Sequence, residues 1–332
     1  MTKNKFMYII QLRKGVLYMG MISLDDKVKY IGYKSDNLER FRPRILKPVE
    51  KELKQYHNLG KNSALIEISN LPMINLSEVK SLAKKFYEKY FSLNKVNILL
   101  PQKLSQKKYE YIISSSNVEE FYNRLNSEIK KVDPFNMDIA LMKGHSINGY
   151  AKKEFMIPKY NFLKPNRKVY FSEIGLGDML TPLSGATLVH EIAHTQMEQN
   201  IGYAQDYLNS EVINIFLEKI AALEIDKTGN LLKIQEKFRM EYLSKLYFDI
   251  CNLGSSMTRE QRIANLVYIK SILIANKMFD MYLNEKRIES KDKYIYDIQD
   301  IFGGKKTVED VIGSRNLTIE KCVDSKIFKK YL

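Results

Sequence analysis

Residues Thr187 to Gln196 read Thr-Leu-Val-His190-Glu191-Ile-Ala-His194-Thr-Gln, an HExxH pattern in an apolar frame. On an α-helix, residues four apart share a face, so His190 and His194 present two imidazoles to one point, with Glu191 beside them. That set suits a hydrolytic zinc site: the metal lowers the pKa of a bound water towards 7, and Glu191 takes the water's proton and passes it to the leaving amine. The chain has only four histidines, and two of them fall in this pattern. Leu188, Val189, Ile192 and Ala193 are uncharged, as a buried helix requires, while Ser184 and Gly185 supply a start and Gly202 a stop.

A third protein ligand is needed, and a straight helix cannot supply it. Glu198 lies about 12 Å along the axis from His190 at 1.5 Å per residue, too far to share one ion with both histidines. The next helix is the remaining source. After the loop Ile201 to Leu208, either Asn209 or Ser210 can cap a helix running to Glu224. On it Glu211 and Glu218, seven apart, share a face with Asn214 and Ala222. Val212, Ile213, Ile215, Phe216 and Leu217 leave that polar face narrow, so its carboxylates need buried partners. A metzincin would place Gly at 197 and His or Asp at 200, where this chain has Met197 and Asn200. A zincin with a Glu ligand is left, one Zn2+ per chain, in a site that manganese or cobalt can also occupy.

The elements that must position these groups form an α+β chain. The first 103 residues read as a smaller α/β unit that caps the cleft or selects substrate, and residues 104–332 as a mainly helical, zincin-like catalytic domain. Phe6–Leu12, Val16–Ile22 and Lys29–Tyr33 suggest an antiparallel meander. Ala64–Ile68 and Val96–Leu100 read as strands around a helix from Ser77 to Phe91, with Ser77 as N-cap and Pro101 as stop. An amphipathic helical stretch follows at Val118–Val132, and the clearest strand before the motif is Lys168–Glu173. Beyond Leu183 nearly everything is helical, up to a turn at Gly303-Gly304.

Taken together, the helix pair resembles the thimet oligopeptidase and oligoendopeptidase F family of zinc metallopeptidases, in which HExxH is followed on the next helix by a ligand Glu and, seven residues later, by another Glu. The resemblance implies Glu211 as the third ligand, with Glu218 either the alternative or the carboxylate that orients a metal-binding histidine. Tyr268–Tyr282 and Phe302-Gly-Gly-Lys-Lys-Thr-Val-Glu-Asp are similar to that family's C-terminal helix and its Gly-containing turn. By position in that weaker match, Tyr268 is the candidate hydrogen-bond donor to the oxyanion. The similarity is strong over about 181–226, weaker over about 262–313, and absent over 1–100. Three features depart from the family: only sixteen residues lie between His194 and Glu211, Ala193 replaces a glycine, and no histidine follows His194.

The remaining composition narrows the setting. Cys251 and Cys322 stand apart with no CxxC pair, which fits a reducing compartment. Arg13 and Lys14 interrupt the N-terminal apolar run, and no stretch of about 18 apolar residues occurs, so neither a secretory signal nor a membrane span is expected and the protein reads as cytoplasmic. The 53 basic against 39 acidic residues give a charge of +14. The surplus is lysine spread along the whole chain, which suits a solvated surface better than a nucleic-acid site. His57 lies in a charged helix, His145 in a Gly-rich loop, and Asp178 in the loop before the motif. The expected function is a zinc-dependent peptidase that hydrolyses short or unstructured peptides through a metal-bound water activated by Glu191. The alternative is a regulatory or binding module with a zinc-bound helix pair, acting on one partner protein or docking nucleic acid. A fourth protein ligand, closing the site, would separate the two.

Overall fold

The computed structural model describes residues 10–13, 16–19, 50–51, 53–54, 63–91, 98–99, 131–132, 140–142, 149–152, 173–196, 207–251, 259–302 and 305–322. These are predominantly helical. The HExxH segment lies on helix α3 (Pro182–Gln196) and packs against α4 (Tyr207–Ile225), the most extensive helix contact of the described residues. Helix α3 begins two residues before the expected Ser184 start. Pro182 occupies the first turn, where a missing N–H costs nothing, and the Ser184 hydroxyl turns back to accept from the Thr181 N–H at 3.0 Å. Gly185 is therefore interior, and a Cβ there would stand 2.9 Å from Leu82 Cβ, so glycine lets helix α2 (Leu76–Phe91) approach closely. Tyr87 of α2 seals this contact by donating its hydroxyl to the Val189 carbonyl at 2.8 Å.

The sequence points to Ser77 as the cap of helix α2, but the structure uses Asn75. The Asn75 side chain accepts from the Glu78 N–H at 2.9 Å, and Glu78 accepts from the Asn75 N–H at 2.8 Å, satisfying two terminal donors at once. The strand expected at Ala64–Ile68 is instead helix α1 (Ser63–Ser69). Ala64 and Ile68, four apart, are buried while Ile66 is exposed; a strand would have buried all three. Helix α1 packs on α5 (Asn230–Cys251), with Lys237 paired to Glu67.

Short strands complete the fold. β1 (Ile10–Arg13) and β2 (Val16–Met19) form an antiparallel hairpin; the third meander strand, Lys29–Tyr33, lies outside the described residues. β3 (Ile98–Leu99) falls within its predicted segment and pairs with β4 (Lys131–Val132), the end of the stretch expected to be helical; the rest of Val118–Val132 is not among the described residues. A three-stranded sheet has the order β5 (Ala140–Met142), β7 (Glu173–Gly177), β6 (Gly149–Lys152), with β5 parallel and β6 antiparallel to β7. β7 continues C-terminal to the Lys168–Glu173 segment, of which only Glu173 is described.

Helix α4 is buried from Leu208 to Ala222, its polar residues included. A turn at Asp226–Gly229 leads into α5; Gly229 takes φ +77°, and the Asp226 carboxylate accepts from the Thr228 and Leu231 N–H groups. Helix α6 (Arg259–Asn284) lies along α4, where Phe216, Phe279, Tyr282 and Tyr294 of α7 (Ile288–Phe302) form a ring cluster with centroids 5.7–6.4 Å apart. Helix α8 (Val308–Gly313) carries a Thr307/Asp310 capping box and donates the Val308 N–H to Asn209 of α4 at 2.9 Å. A last short helix, α9, spans Ile319–Cys322 and buries the Cys322 thiol. Among the described residues no helix is long and apolar enough to cross a membrane.

Candidate metal centre

The periodicity of α3 places His190 and His194 on the face that meets α4, with their Nε2 atoms 3.2 Å apart. Helix α4 delivers Glu211 to the same point: its carboxylate oxygens stand 3.7 Å from His190 Nε2 and 3.6 Å from His194 Nε2. A tetrahedral zinc with bonds of about 2.0–2.2 Å separates its ligand atoms by about 3.3–3.6 Å, so this triangle has the size of three ligands on one ion.

The protons on the rings point the same way. With each ring proton on Nδ1, His190 donates to Glu218 at 3.0 Å and His194 to the Ser210 hydroxyl at 2.9 Å. Both Nε2 lone pairs then converge on each other and on a carboxylate, all nearly out of water. A proton shared between the rings would serve two of the three groups, whereas a metal ion serves all three.

The electrostatics agree. Burial pulls the His190 pKa down, but Glu218, Glu191 and Glu211 outweigh it and raise the imidazole to about 9. Burial, with the charges of Glu211 and Glu218 and against that of His190, pushes the Glu191 carboxyl up to about 8. For Glu218 burial also acts upward, yet Arg239 and then His190 overcome it and hold the carboxylate ionised. Glu191, Glu211 and Glu218 thus surround one imidazole, and a divalent cation in the triangle would lower both raised values.

Of the two carboxylates left open by the sequence, Glu211 faces Nε2 and Glu218 lies behind His190 on Nδ1. His190, His194 and Glu211 form a three-residue cluster of metal-ligand type among the described residues. Asn209 and Ser210, expected as alternative caps, lie inside α4, which starts at Tyr207. Ser210 accepts from Asn214 at 3.3 Å and lies against His194, while Asn209 accepts from the Val308 N–H at the start of α8. Tyr268 of α6 is half-buried near the centre. Burial first, then Glu211, raise its phenol well above its ordinary value against the pull of Arg239, so it remains a hydrogen-bond donor. It meets Tyr242 of α5 edge-to-face at 5.9 Å.

Sequence reasoning missed Arg239, Tyr242 and Gly149. Arg239 donates to Glu218 at 2.5 Å. A Cβ on Gly149 of β6 would stand 2.7 Å from Glu191 Cγ and Oε1 and 2.8 Å from Thr187 Cγ2, so the bare glycine backbone forms one wall beside Glu191. No local signal marks these positions, since each acts across a contact between distant segments; an arginine three residues after Glu236 in a half-apolar helix was the nearest hint. Asp178 sits in the turn between β7 and α3, its carbonyl accepting from Leu180. His57, His145, Glu198 and Gly202 lie outside the described residues. No protein-family model, curated protein or solved structure matches this chain.

Proposed function

We propose that this protein is a zinc-dependent metallopeptidase of the HExxH-plus-Glu type, hydrolysing short or unstructured peptides in the manner of the thimet oligopeptidase and oligoendopeptidase F family. The observation that carries the reading is the meeting of two histidine Nε2 lone pairs with the Glu211 carboxylate, while Glu191 follows His190 directly on the same helix. His190, His194 and Glu211 would hold the ion, which supplies a Lewis acid that acidifies water and polarises the scissile carbonyl. Every other step belongs to side chains. Glu191, buried and raised towards neutrality, accepts a proton from the attacking water on its carboxylate and delivers it to the departing amine nitrogen. Tyr268, kept protonated, donates its hydroxyl hydrogen to the oxygen on which charge develops. Glu218 and Ser210 keep each histidine's proton on Nδ1.

The test is metal content together with cleavage of a mixed peptide library, comparing the wild type with Glu191→Gln. One equivalent of zinc in both proteins with cleavage only by the wild type is the expected result. A folded, zinc-loaded Glu191→Gln protein that cleaves at the wild-type rate would overturn the reading. Zinc in both proteins with cleavage by neither would favour the regulatory or binding module.

A further inference from the structure

We infer that Arg239, held by Glu236 and Lys219, is a positioning residue that sets the affinity of the metal centre through Glu218 and His190. The inference rests on the metal-centre reading above. Glu218 Oε2 accepts from His190 Nδ1 at 3.0 Å and from Arg239 at 2.5 Å. The other arm of the guanidinium donates to Glu236 at 3.0 Å, and Glu236 is paired at 2.5 Å with Lys219. Lys219 follows Glu218 on α4, whereas Glu236 and Arg239 stand one turn apart on α5. The chain of contacts thus leaves α4 at one residue, crosses to α5 and returns to α4 at the next.

Stability alone does not account for this arrangement. The four side chains are at most 10% exposed, and Lys219 and Glu236 are 0% and 1% exposed. Buried ion pairs recover little more than their own desolvation, and apolar residues of similar volume commonly serve the fold as well. Two carboxylates, one guanidinium and one ammonium sum to no net charge, so the group as a whole leaves the net charge of the site unchanged. What it supplies is direction. A glutamate side chain has three rotatable bonds, and a carboxylate bound only to the imidazole could swing and carry the ring with it. The guanidinium fork is rigid and occupied on both arms, so Glu218 is fixed at the point from which it aims His190 Nε2 at Glu211 and His194.

The experiment measures zinc affinity by competition with a chromophoric chelator, beside the thermal melting of the metal-free proteins and the Co2+ absorption spectrum. Arg239→Met should weaken Zn2+ binding by about 10–100-fold, and Arg239→Lys, which keeps the charge without the fork, should recover only part of it. The double variant Glu236→Gln/Lys219→Met removes the outer pair without stranding a charge and should weaken binding less, with a shifted Co2+ spectrum. It decides the matter if Arg239→Met does not fold. Wild-type zinc affinity in folded Arg239→Met, or in the folded double variant where that single variant is lost, would overturn the inference and leave the metal centre standing. Failure of the wild type to bind zinc would overturn both. Zinc bound without any peptide cleavage would count against the peptidase alone, since affinity is read without turnover.

Discussion

The two sides of helix α4 are equally buried and differently constrained. Towards α3 it presents Ser210, Glu211, Asn214 and Glu218, and towards α6 and α7 it presents Phe216 within the ring cluster; all are under 9% exposed. On the aromatic side the requirement is volume. Phe216 lies 5.7 Å from the Tyr282 ring and 5.9 Å from Tyr294, contacts that any well-filled core supplies. On the polar side the requirement is pairing. A buried carboxylate is tolerated only where an opposite charge or a donor meets it, so each group there dictates its neighbour. One side therefore resists changes of size, and the other resists changes of charge and direction.

Four substitutions test that contrast, beginning with the largest effect. Glu191→Gln should lower peptide cleavage by about 10²–10⁴-fold while zinc content stays at the wild-type level, because it removes a proton acceptor and no metal ligand. Phe216→Ala should destabilise the protein by about 3–5 kcal/mol in denaturant titration, yet the fraction that remains folded should bind zinc normally. If its zinc affinity fell with its stability, the two sides of α4 would not be separable. Gly149→Ala should lower cleavage by about 10²-fold with zinc binding unchanged, since the atoms the new methyl group meets first belong to Glu191 and Thr187. A wild-type rate for this variant would mean that the strand gives way instead.

The smallest effect is one of pH. Glu224 at the end of α4 binds Lys89, Tyr90 and Lys227; burial pushes its carboxyl up, but these three partners outweigh it and bring the pKa from 4.5 to about 2. A carboxylate whose folded pKa is depressed stabilises the fold above its unfolded value and loses that contribution as pH falls through the folded one. Stability should therefore decline between about pH 4.5 and 2, and Glu224→Gln should flatten that part of the melting-temperature profile. An unchanged profile would show that the three contacts contribute nothing in solution.

Legibility in the sequence followed the range of the interactions. HExxH was readable because one helical period places His190, Glu191 and His194, and no distant residue is needed for that. The hairpin at Ile10–Met19 and helix α2 were readable from local composition for the same reason. The segment Ala64–Ile68 misled because its β-branched residues suit a strand, while its burial against α5 selects a four-residue spacing. Ser210 looked like a cap because serine favours helix starts, and the structure uses its hydroxyl to hold His194 instead.

The third candidate ligand marks the boundary between the two kinds of information. Composition and spacing on α4 showed that Glu211 and Glu218 share a face and need partners, which is a property of one helix. Which of them meets Nε2 depends on how far α4 is shifted along α3, and that shift is set by the apolar packing of the core the two helices share and by Gly185, which admits α2 against α3. The placement of Arg239 behind Glu218 and of Gly149 beside Glu191 depends likewise on docking between segments far apart in the chain. Helical periodicity is local and is written in the order of residues; the meeting of charges from separate helices exists only after apolar packing has fixed where those helices cross.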